Sequence, residues 1–592
     1  MPAEAAGVIV TDGDERSALA ATRSLGRRGV PVFVGAEGGS SLAGASRHCR
    51  AAFRHPSPWS DPEGFAACVL EQAQRFGARV VFPMTDLAVE ILGAAAPRAG
   101  APLVLPMPSL EQYRALSDKY ALMDRAQRLG VPIPDTIFVP DGDVENALAQ
   151  VRRWPVVVKP GKSLVRTARG WQKTSVRYVH DADALRTIYR ETRYLQEPSL
   201  LQSRIVGEGQ GVFGLFDRGT PVALFAHRRL RERPPSGGVS VLRESMALHE
   251  PLTGHALRVL EGWHGVAMAE FKVDAASGVP HLMEVNGRFW GSLQLAVDAG
   301  IDFPWMLYQL ATTGAVQRPA AGYRAGVRSR WWLGDLDHLL ARLRKPEREL
   351  DLPPGSPSKA RAVLSFLRVW DAGTRNEVLR LSDPAPGLHE LAAYGAHIAR
   401  RLAAALGVRA RRARNRLLLA AGTRRAALPG RVERVLVLCK GNICRSPFAA
   451  KLLGKRAAER GVELEVRSAG LDTTPGHDAY PLAKTESRAY GFDLVGHKTT
   501  PVTPELLAWA DLVLVMEPAH VLDLRASAPE TLARTFLLGR FASRATATIR
   551  DPYGGTEDEF RRCYALIDDA CRGLLRRIAE RASARDMEPG RP

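Results

Sequence analysis

The chain has 592 residues, 45% hydrophobic and 24% charged, a composition that excludes a largely disordered chain and a length that predicts about three to four domains. Its net charge of +19 favours anionic partners, among which phosphates, nucleic acid and an acidic membrane surface all remain open. The six cysteines, the missing signal-peptide pattern and the lack of a bilayer-length apolar run argue against a disulfide scaffold and predict a cytoplasmic protein.

Strand and helix patterns alternate over residues 1–115. The segments GVIVTDG and VPVFVG predict two strands around a helical run at 16–28, and RVVFPMTD and PLVLPM predict two more strands. Because strands that alternate with helices form parallel sheets, we expect an α/β domain here. The next helix, SDKYALMDRAQRLG, is expected to end at Gly130.

Residues 155–290 are richer in strand patterns and predict an α+β region. Lys119 begins a helix and Lys159 ends the strand PVVVKP, so two lysines on separate elements can hold nucleotide phosphates as point charges. The basic loop GKSLVRTARG follows Lys159 and is suited to cover those phosphates. The segment LLQSRIVGEG supplies the predicted backbone hinge for adenine around Gln202, Ser203 and Ile205, and Glu208 for the ribose hydroxyls.

Oxygen-bearing side chains follow at the ends of two later strands. Glu270 ends VAMAE, and Glu284 and Asn286 end HLMEVN. Such oxygens are the ligands that Mg²⁺ or Mn²⁺ requires between nucleotide phosphates. Arg288 lies two residues further and is placed to neutralise charge on the γ-phosphate.

This ordered set resembles the ATP-grasp superfamily over residues 1–315. The run LMEVNGRFWGSLQLAVDAGIDFP is especially similar to its carboxylate–amine ligase and carbamoyl-phosphate-synthase-like branch. The resemblance implies a pre-ATP-grasp domain at 1–115, ATP-grasp lobes at 116–320, ATP and magnesium as cofactors, and small carboxylate and amine substrates joined through an acyl phosphate. Ser203 departs from the pattern, because many relatives carry an acid there. The segment 227–245 fits either a lid with arginines for an acidic substrate or an exposed loop.

Residues 321–430 are predicted to be a helical connecting region. Arginines crowd its end, between 400 and 434, interleaved with LLLAA. A solvated basic linker and a helix in peripheral contact with an anionic membrane both fit that composition. No base-reading motif accompanies the charge, so no nucleic-acid partner is expected.

The segment RVLVLCKGNICRSPFAAKLLGKRAAERG predicts a buried strand, a short loop and a helix. Such a loop aims backbone N–H groups and a helix N-terminus at one point, which suits a phosphate dianion and favours the thiolate of Cys439. Arg445 can hold two phosphoryl oxygens with its planar fork, and Ser446 can donate to the thiolate as it leaves. The rest of the predicted phosphate loop is Lys440, Gly441, Asn442, Ile443 and Cys444.

Residues 431–582 strongly resemble the low-molecular-weight protein-tyrosine-phosphatase family. Four further motifs follow the loop in the family's order: RSAGL at 467–471, HKTTPVT at 497–503, ADLVLVMEPAH at 510–520 and DPY at 551–553. The resemblance implies a central parallel sheet flanked by helices, a phosphotyrosine protein substrate and no cofactor. It also implies that Cys439 attacks phosphorus while Asp551 protonates the leaving group and then activates water. Arsenate reductases share this loop but need extra cysteines before the acid, and none lies between Cys444 and Asp551.

The whole chain is therefore predicted to be a multidomain α/β protein, with a disordered tail at 583–592. The leading hypothesis is a bifunctional enzyme, an ATP-dependent ligase joined to a tyrosine phosphatase. An alternative makes the N-terminal half a nucleotide-binding module that regulates the phosphatase without turnover. A third interpretation is a membrane-associated regulator of surface-polymer assembly. The ligase substrates, the phosphatase target and the oligomeric state stay open.

Overall fold

The structure is a computed structural model that describes residues 6–98, 103–167, 170–317, 322–350, 352, 355–368, 373–423 and 428–586. The chain divides into two units, Met1–His397 and Ile398–Pro592. Among the described residues, the first unit contains sheets of four, four, seven and two strands, and the second contains one sheet of four. The multidomain α/β prediction is confirmed.

A parallel sheet with the strand order β3-β2-β1-β4 begins the first unit. Its elements are β1 (Gly7–Val10), α1 (Arg16–Gly26), β2 (Val32–Ala36), β3 (Ala51–Arg54), α2 (Pro62–Arg75), β4 (Ala78–Phe82) and α3 (Asp86–Ala95). Strands β1 and β2 are buried throughout, as expected of a parallel sheet that is covered on both faces. In the described part of the predicted strand PLVLPM, Val104 forms only a bridge to Val80, because Pro106 lacks the N–H group that would extend the ladder. Pro102 lies outside the described residues.

A four-stranded antiparallel sheet, ordered β5-β10-β6-β9, follows two helices. The elements of this region are α4 (Leu110–Ser117), α5 (Lys119–Arg128), β5 (Thr136–Val139), α6 (Val144–Gln150), β6 (Val156–Pro160), β7 (Leu164–Thr167), β8 (Gly170–Lys173), β9 (Arg177–Val179), α7 (Ala182–Glu191) and β10 (Ser199–Ser203). The left-handed φ of +63° at Gly130 follows α5, as predicted. Strands β7 and β8 form a separate hairpin immediately after Lys159.

The largest sheet has seven strands in the order β15-β14-β11-β12-β13-β16-β17. Its first part comprises β11 (Gly207–Asp217), β12 (Thr220–Arg233), β13 (Val239–Met246), α8 (Leu252–Val259), β14 (Gly265–Asp274), β15 (Pro280–Asn286), α9 (Leu293–Ala299) and α10 (Phe303–Thr313). Strands β14 and β15 are antiparallel neighbours, and Glu270 pairs with Glu284 across them. Both carboxylates therefore lie on the same face of this sheet.

The region predicted to be a connector differs from the structure in its first part. It contributes β16 (Arg328–Arg330), α11 (Trp332–Arg344), α12 (Glu347–Leu350), α13 (Lys359–Leu367) and β17 (Thr374–Asn376), and both strands join the seven-stranded sheet. Arg23 of α1 pairs with Asp383 at 2.8 Å, and both side chains are fully buried. Arg23 also donates to the carbonyl oxygens of Glu377 and Val378. These strands escape a pattern search because three residues are too few to show a period of two.

Helix α14 (Ala385–Thr423) follows and covers most of the arginine-rich segment. Its arginine side chains between 408 and 423 lie outside the described residues, as do residues 424–427. Contact between this helix and an anionic membrane therefore stays a prediction. Within the described part of the chain, no helix is long and apolar enough to cross a bilayer.

The second unit is built on a parallel sheet with the order β19-β18-β20-β21. Its elements are β18 (Arg434–Cys439), α15 (Arg445–Ala458), β19 (Glu465–Gly470), α16 (Pro481–Ser487), α17 (Pro504–Trp509), β20 (Leu512–Val515), α18 (Pro518–Ser527), β21 (Thr535–Leu537) and α19 (Glu557–Asp586). The central parallel sheet with flanking helices is confirmed. The predicted tail at 583–592 differs in its first part, because α19 continues through Asp586; residues 587–592 lie outside the description.

The Arg23–Asp383 pair predicts how firmly the segment around β17 is held. Arg23→Met would leave Asp383 buried without a counter-charge, at an expected cost of about 3–5 kcal/mol in the free energy of unfolding. Hydrogen exchange of α1 and β17 in the full chain measures this loss of protection. Arg27→Met, an exposed arginine that caps the same helix, is the control and is expected to change stability by about 0.5 kcal/mol or less. Equal protection in Arg23→Met and the unsubstituted chain would contradict the prediction.

Candidate active sites

The loop between β18 and α15 surrounds the sulfur of Cys439. The backbone N–H of Asn442 donates to Cys439 Sγ at 3.3 Å, and Ser446 Oγ lies 3.0 Å from the same sulfur. All three residues are buried. Hydrogen-bond donors aimed at sulfur stabilise a thiolate more than a thiol, so this arrangement favours a nucleophile.

Asn442 holds this loop in a conformation that L-residues rarely adopt. Its φ is +53°, in the left-handed region. Its side-chain N–H₂ donates to Ser446 Oγ at 2.9 Å and Ser468 Oγ at 3.0 Å, and its Oδ1 accepts from the backbone N–H of Thr500 at 3.0 Å. His497 Nε2 donates to its carbonyl oxygen at 2.8 Å. Four contacts, from α15, β19 and the segment 497–500, therefore offset the backbone strain at Asn442.

Arg445 begins α15 and meets the predicted proton donor. Its side chain is 1% exposed, and Nη2 donates to Asp551 Oδ2 at 2.5 Å. Nη1 donates to the carbonyl oxygen of Ile549 at 2.9 Å and pairs with Glu517. Burial opposes the positive charge, but Asp551 and Glu517 outweigh that effect and raise the pKa of Arg445. The structure thus brings Cys439, Arg445, Ser446 and Asp551 to the same loop.

Aromatic side chains lie beside Asp551. Tyr553 is 61% exposed, and its ring centroid lies 5.0 Å from that of Tyr480, which stacks at 5.7 Å on Phe560. The backbone N–H of Tyr480 donates to the carbonyl oxygen of Ile443, which connects the aromatic pair to the phosphate loop. Tyr553 belongs to the DPY motif, whereas no motif of the sequence had marked Tyr480.

Two further cysteines near the loop are protected from ionisation. Burial raises the pKa of the Cys444 thiol, and it raises the pKa of Cys563 to about 12. The Cys444 carbonyl oxygen accepts from Tyr564 Oη at 3.2 Å, and Cys563 Sγ donates to the Arg550 carbonyl oxygen at 3.5 Å. Both therefore support the site as neutral thiols rather than as nucleophiles.

A cleft of about 430 Å³ in the first unit gathers most of the predicted nucleotide and metal residues. Those lining it are Lys119, Lys159, Glu270, Glu284, Asn286 and Arg288. Lys159 comes from the small antiparallel sheet, and the carboxylates come from β14 and β15 of the seven-stranded sheet. Two separate sheets therefore contribute to one polar cleft.

The two lysines lie in different electrostatic surroundings. Lys159 is 7% exposed, and burial lowers its pKa to about 8, although Glu284 opposes the shift. Lys119 Nζ donates to Ser163 Oγ at 2.6 Å and lies 3.9 Å from Glu284 Oε2. Burial thus brings Lys159, near the end of β6, closer to losing its proton.

The paired carboxylates fit a divalent cation. Burial raises the pKa of Glu270 to about 7, against the opposing effect of Arg229, which pairs with it. Burial also acts to raise the pKa of Glu284, but Lys119 and Asn286 outweigh it and lower that pKa. Asn286 Nδ2 donates to Glu284 Oε1 at 3.1 Å. Since the described residues hold no group of three acidic, histidine or cysteine ligands, phosphate and water oxygens would complete a metal's coordination.

Arg288 forms an ion pair with Asp86 of α3, which packs in the region of the first parallel sheet. Its Nη2 donates to Asp86 Oδ2 at 2.8 Å, and Tyr113 Oη donates to Asp86 Oδ1 at 2.7 Å. Burial opposes the charge of Arg288, but Asp86 outweighs it and raises its pKa. Arg288 thus remains a cation at the cleft and ties Asp86 of α3 to it.

The residues predicted to bind the adenine and the ribose make contacts with other parts of the first unit. Gln202 is buried, and its Nε2 donates to Thr136 Oγ1 at 2.9 Å. The backbone N–H of Ser203 donates to the carbonyl oxygen of Asp135, Ile205 is buried, and Glu208 lines a different cleft beside Arg228. None of these four described residues is among those that line the cleft with the lysines, and a backbone hinge for adenine at 202–205 stays a prediction.

The comparisons with known proteins concern mainly the second unit. The family model for low molecular weight phosphotyrosine protein phosphatase matches residues 434–584. The chain is 35% identical over 145 residues to the low molecular weight protein-tyrosine-phosphatase Etp of Escherichia coli (strain K12), covering 24% of this chain and 94% of that protein. It is 34% identical over 148 residues to a protein-arginine-phosphatase of Geobacillus stearothermophilus, covering 25% of this chain and 95% of that protein.

A solved structure shows a weaker likeness over a longer span. It is a biotin carboxylase–β-γ-ATP complex from Campylobacter jejuni, 18% identical, with a TM-score of 0.45. The likeness covers 55% of this chain and 75% of that one. At this level it carries no argument about activity.

The contacts of Asn442 predict a graded set of variants. Asn442→Ala removes the side chain that holds the loop, and a displaced nucleophile is expected to lower kcat for an aryl phosphate by about 10²-fold. Ser468→Ala removes only one of its partners and is expected to lower kcat less. Steady-state kinetics on the full chain measures both. Unchanged kcat in Asn442→Ala, with folding verified by circular dichroism, would contradict the assigned role.

Proposed function

Because the chain belongs, through residues 434–584, to the low molecular weight phosphotyrosine protein phosphatase family, we propose that its second unit hydrolyses phosphotyrosine in proteins through a cysteinyl-phosphate. The observation that carries this proposal is the convergence of Cys439, Arg445 and Asp551 on one loop. The six cysteines are all free thiols, which agrees with a reducing cytoplasm.

The proposed reaction has two steps. Cys439 Sγ attacks phosphorus, the phosphorus–oxygen bond to the tyrosine breaks, and protonated Asp551 gives its proton to the departing phenolate. Water then attacks phosphorus, Asp551 takes its proton, and the phosphorus–sulfur bond breaks to release phosphate. Ser446 stabilises the departing thiolate, and Arg445 holds the transferring phosphoryl oxygens.

The aromatic pair supports phosphotyrosine as the substrate. Tyr553 and Tyr480 form a wall beside Asp551, and aromatic rings pack favourably on such faces. One relative is a protein-arginine-phosphatase, so phosphoarginine is the competing substrate class. Comparing kcat/KM for a phosphotyrosine peptide and a phosphoarginine peptide separates them. A higher value for phosphoarginine would reassign the substrate.

The role of Asp551 predicts a dependence on the leaving group. Asp551→Asn is expected to lower kcat for phenyl phosphate by about 10²–10⁴-fold, because phenolate needs a proton to leave. The loss for 4-nitrophenyl phosphate is expected to be smaller, since nitrophenolate leaves readily without one. Cys439→Ser serves as the inactive blank, and Asp558→Asn, an exposed carboxylate of α19, as the matched control. Equal losses for the two substrates would show that Asp551 is not the proton donor.

For the first unit, we propose an ATP- and magnesium-dependent ligase of the ATP-grasp type, which joins a small carboxylate to an amine. Its support is the cleft in which lysines from two elements lie with a cross-strand pair of carboxylates. Lys119 and Lys159 would hold the phosphates, and Glu270, Glu284 and Asn286 would hold the metal. Bound Mg²⁺ would neutralise charge on the transferring phosphoryl group. The alternative is a nucleotide-binding module that does not turn over.

Turnover decides between these two possibilities. We expect Mg²⁺-dependent ADP release by the full chain in the presence of pooled amino acids, peptides and carboxylic acids. Lys159→Met is expected to abolish it, whereas Lys345→Met, an exposed lysine, serves as the matched control. Nucleotide binding without turnover across broad pools would favour the regulatory module. The absence of both binding and turnover would overturn the nucleotide site itself.

The pKa of Lys159 predicts a pH dependence of nucleotide affinity. Because this pKa is about 8, the free site loses its ammonium charge as pH rises through that value. A bound phosphate restores the charge, so we expect binding of a non-hydrolysable ATP analogue to take up protons near pH 8 and to weaken above it. Calorimetry in buffers of different ionisation enthalpy measures this uptake. Uptake that persists in Lys159→Met would assign it to another group.

A further inference from the structure

The cleft also contains residues that neither the nucleotide nor the metal contacts use. Arg16, His227, Ser292, Trp290 and Gly291 line it together with the lysines. Arg16 is the first residue of α1, and Ser292 lies immediately before α9. Two parts of the unit that are distant in sequence therefore meet in this group.

Two contacts fix the guanidinium group of Arg16, one at its Nη1 edge and one on its planar face. Its Nη1 donates to Glu377 Oε2 at 2.6 Å, and its guanidinium lies 4.1 Å from the ring centroid of Trp331. Its Nη2 faces Gly291, where an added Cβ would lie only 3.0 Å away. Among the described residues Nη2 has no hydrogen-bond acceptor, although the side chain is only 11% exposed. A rigid, nearly buried donor is thus left available beside a glycine.

Ser292 and His227 place a neutral hydrogen-bonding pair next to Arg16. Ser292 Oγ lies 2.8 Å from His227 Nε2, and both side chains are buried. Burial lowers the pKa of His227 well below its ordinary value, with Arg229 and Arg243 adding to the effect. A neutral imidazole can accept from or donate to the serine, so the hydroxyl is able to orient towards a ligand. The buried Trp290 Nε1 also lacks a partner within the described part of the chain.

The carboxylate that pairs with Arg16 also pairs with a second arginine. Glu377 is shared by Arg16 and the fully buried Arg243. Two guanidinium groups therefore face one carboxylate, whose pKa they lower against the effect of burial. Glu15 and Glu390 also interact with Arg16, but burial raises the pKa of both carboxyls and so opposes their negative charge. The nearly buried guanidinium of Arg16 therefore favours an anion and disfavours an ammonium group.

We propose that Arg16 and Ser292, beside Gly291, bind the carboxylate of a substrate of the ligase. This inference rests on the proposed ligase function of the same cleft. The carboxylate belongs either to the acid that is activated or to an amino acid that supplies the amine; both sources present the same group to Arg16. The guanidinium fork matches the two oxygens of a carboxylate. Arg16 is therefore a specificity-determining residue contributed by the first domain.

Calorimetry on the full chain, saturated with Mg²⁺ and a non-hydrolysable ATP analogue, tests this subsite. Succinate and glutamate are the carboxylate probes, the second carrying an amine, and 1,4-diaminobutane is the cationic probe. We expect both carboxylates to bind and the diamine not to bind. Arg16→Gln is expected to weaken carboxylate binding at least 10-fold and to change the Kd of the ATP analogue less than twofold. Arg27→Gln, near the other end of α1, is the matched control for net charge.

A second variant covers the case in which Arg16→Gln fails to fold. Gly291→Ala keeps the Arg16–Glu377 pair but places a methyl group against Nη2, so it is also expected to weaken carboxylate binding. Equal succinate affinity in the unsubstituted chain and both variants, or no carboxylate binding at all, would overturn the subsite. Preference for the diamine would do the same. Failure of the ATP analogue to bind, with Arg16-dependent succinate binding retained, would overturn the ligase proposal but not the subsite.

Discussion

Buried arginines in both units are stabilised as cations because carboxylates from distant segments pair with them. Arg445 meets Asp551 and Glu517, Arg229 meets Glu270, and Arg23 meets Asp383. A buried charge without such a partner costs several kcal/mol, roughly 3–5 kcal/mol when one member of a pair is removed. These pairs therefore decide which loops and strands lie together, and they place the polar groups of both sites.

The same pairing prepares each site for a phosphoryl group. In the second unit, Arg445 and the donors around Cys439 form a compact positive site for one tetrahedral group and a nucleophile that attacks it. In the first unit, the positive charge is spread over Lys119, Lys159 and Arg288 around two carboxylates. The first arrangement suits covalent catalysis, and the second suits the positioning of a nucleotide and its metal.

The segment that contains β16 and β17 links stability to the proposed substrate site of the first unit. Glu377 follows β17 and pairs with Arg16. Asp383 pairs with Arg23, two helical turns further along the same face of α1. The two ion pairs fix α1 against the seven-stranded sheet. A segment predicted to be connecting structure thus orients the arginine that we assign to substrate recognition.

The phosphatase loop and its acid were predictable from the sequence. Strand, loop and helix are contiguous there, and the spacing of Cys439, Arg445 and Ser446 is enough to indicate a phosphate-binding loop with a nucleophile. The sequence also marked the lysines and carboxylates of the first unit, which lie on recognisable helices and strands, although Glu270 lies inside β14 rather than at its end. Only the tertiary structure decided the partners of Asn442, which are Ser468 and two residues of the segment 497–500, and the pairing of Arg16 with Glu377. It also bonds Gln202 to Thr136 of a neighbouring strand and places Glu208 in a separate cleft, because the contacts of a strand residue depend on which strands pair. Local patterns specify which groups a segment carries, whereas long-range pairing determines what those groups face.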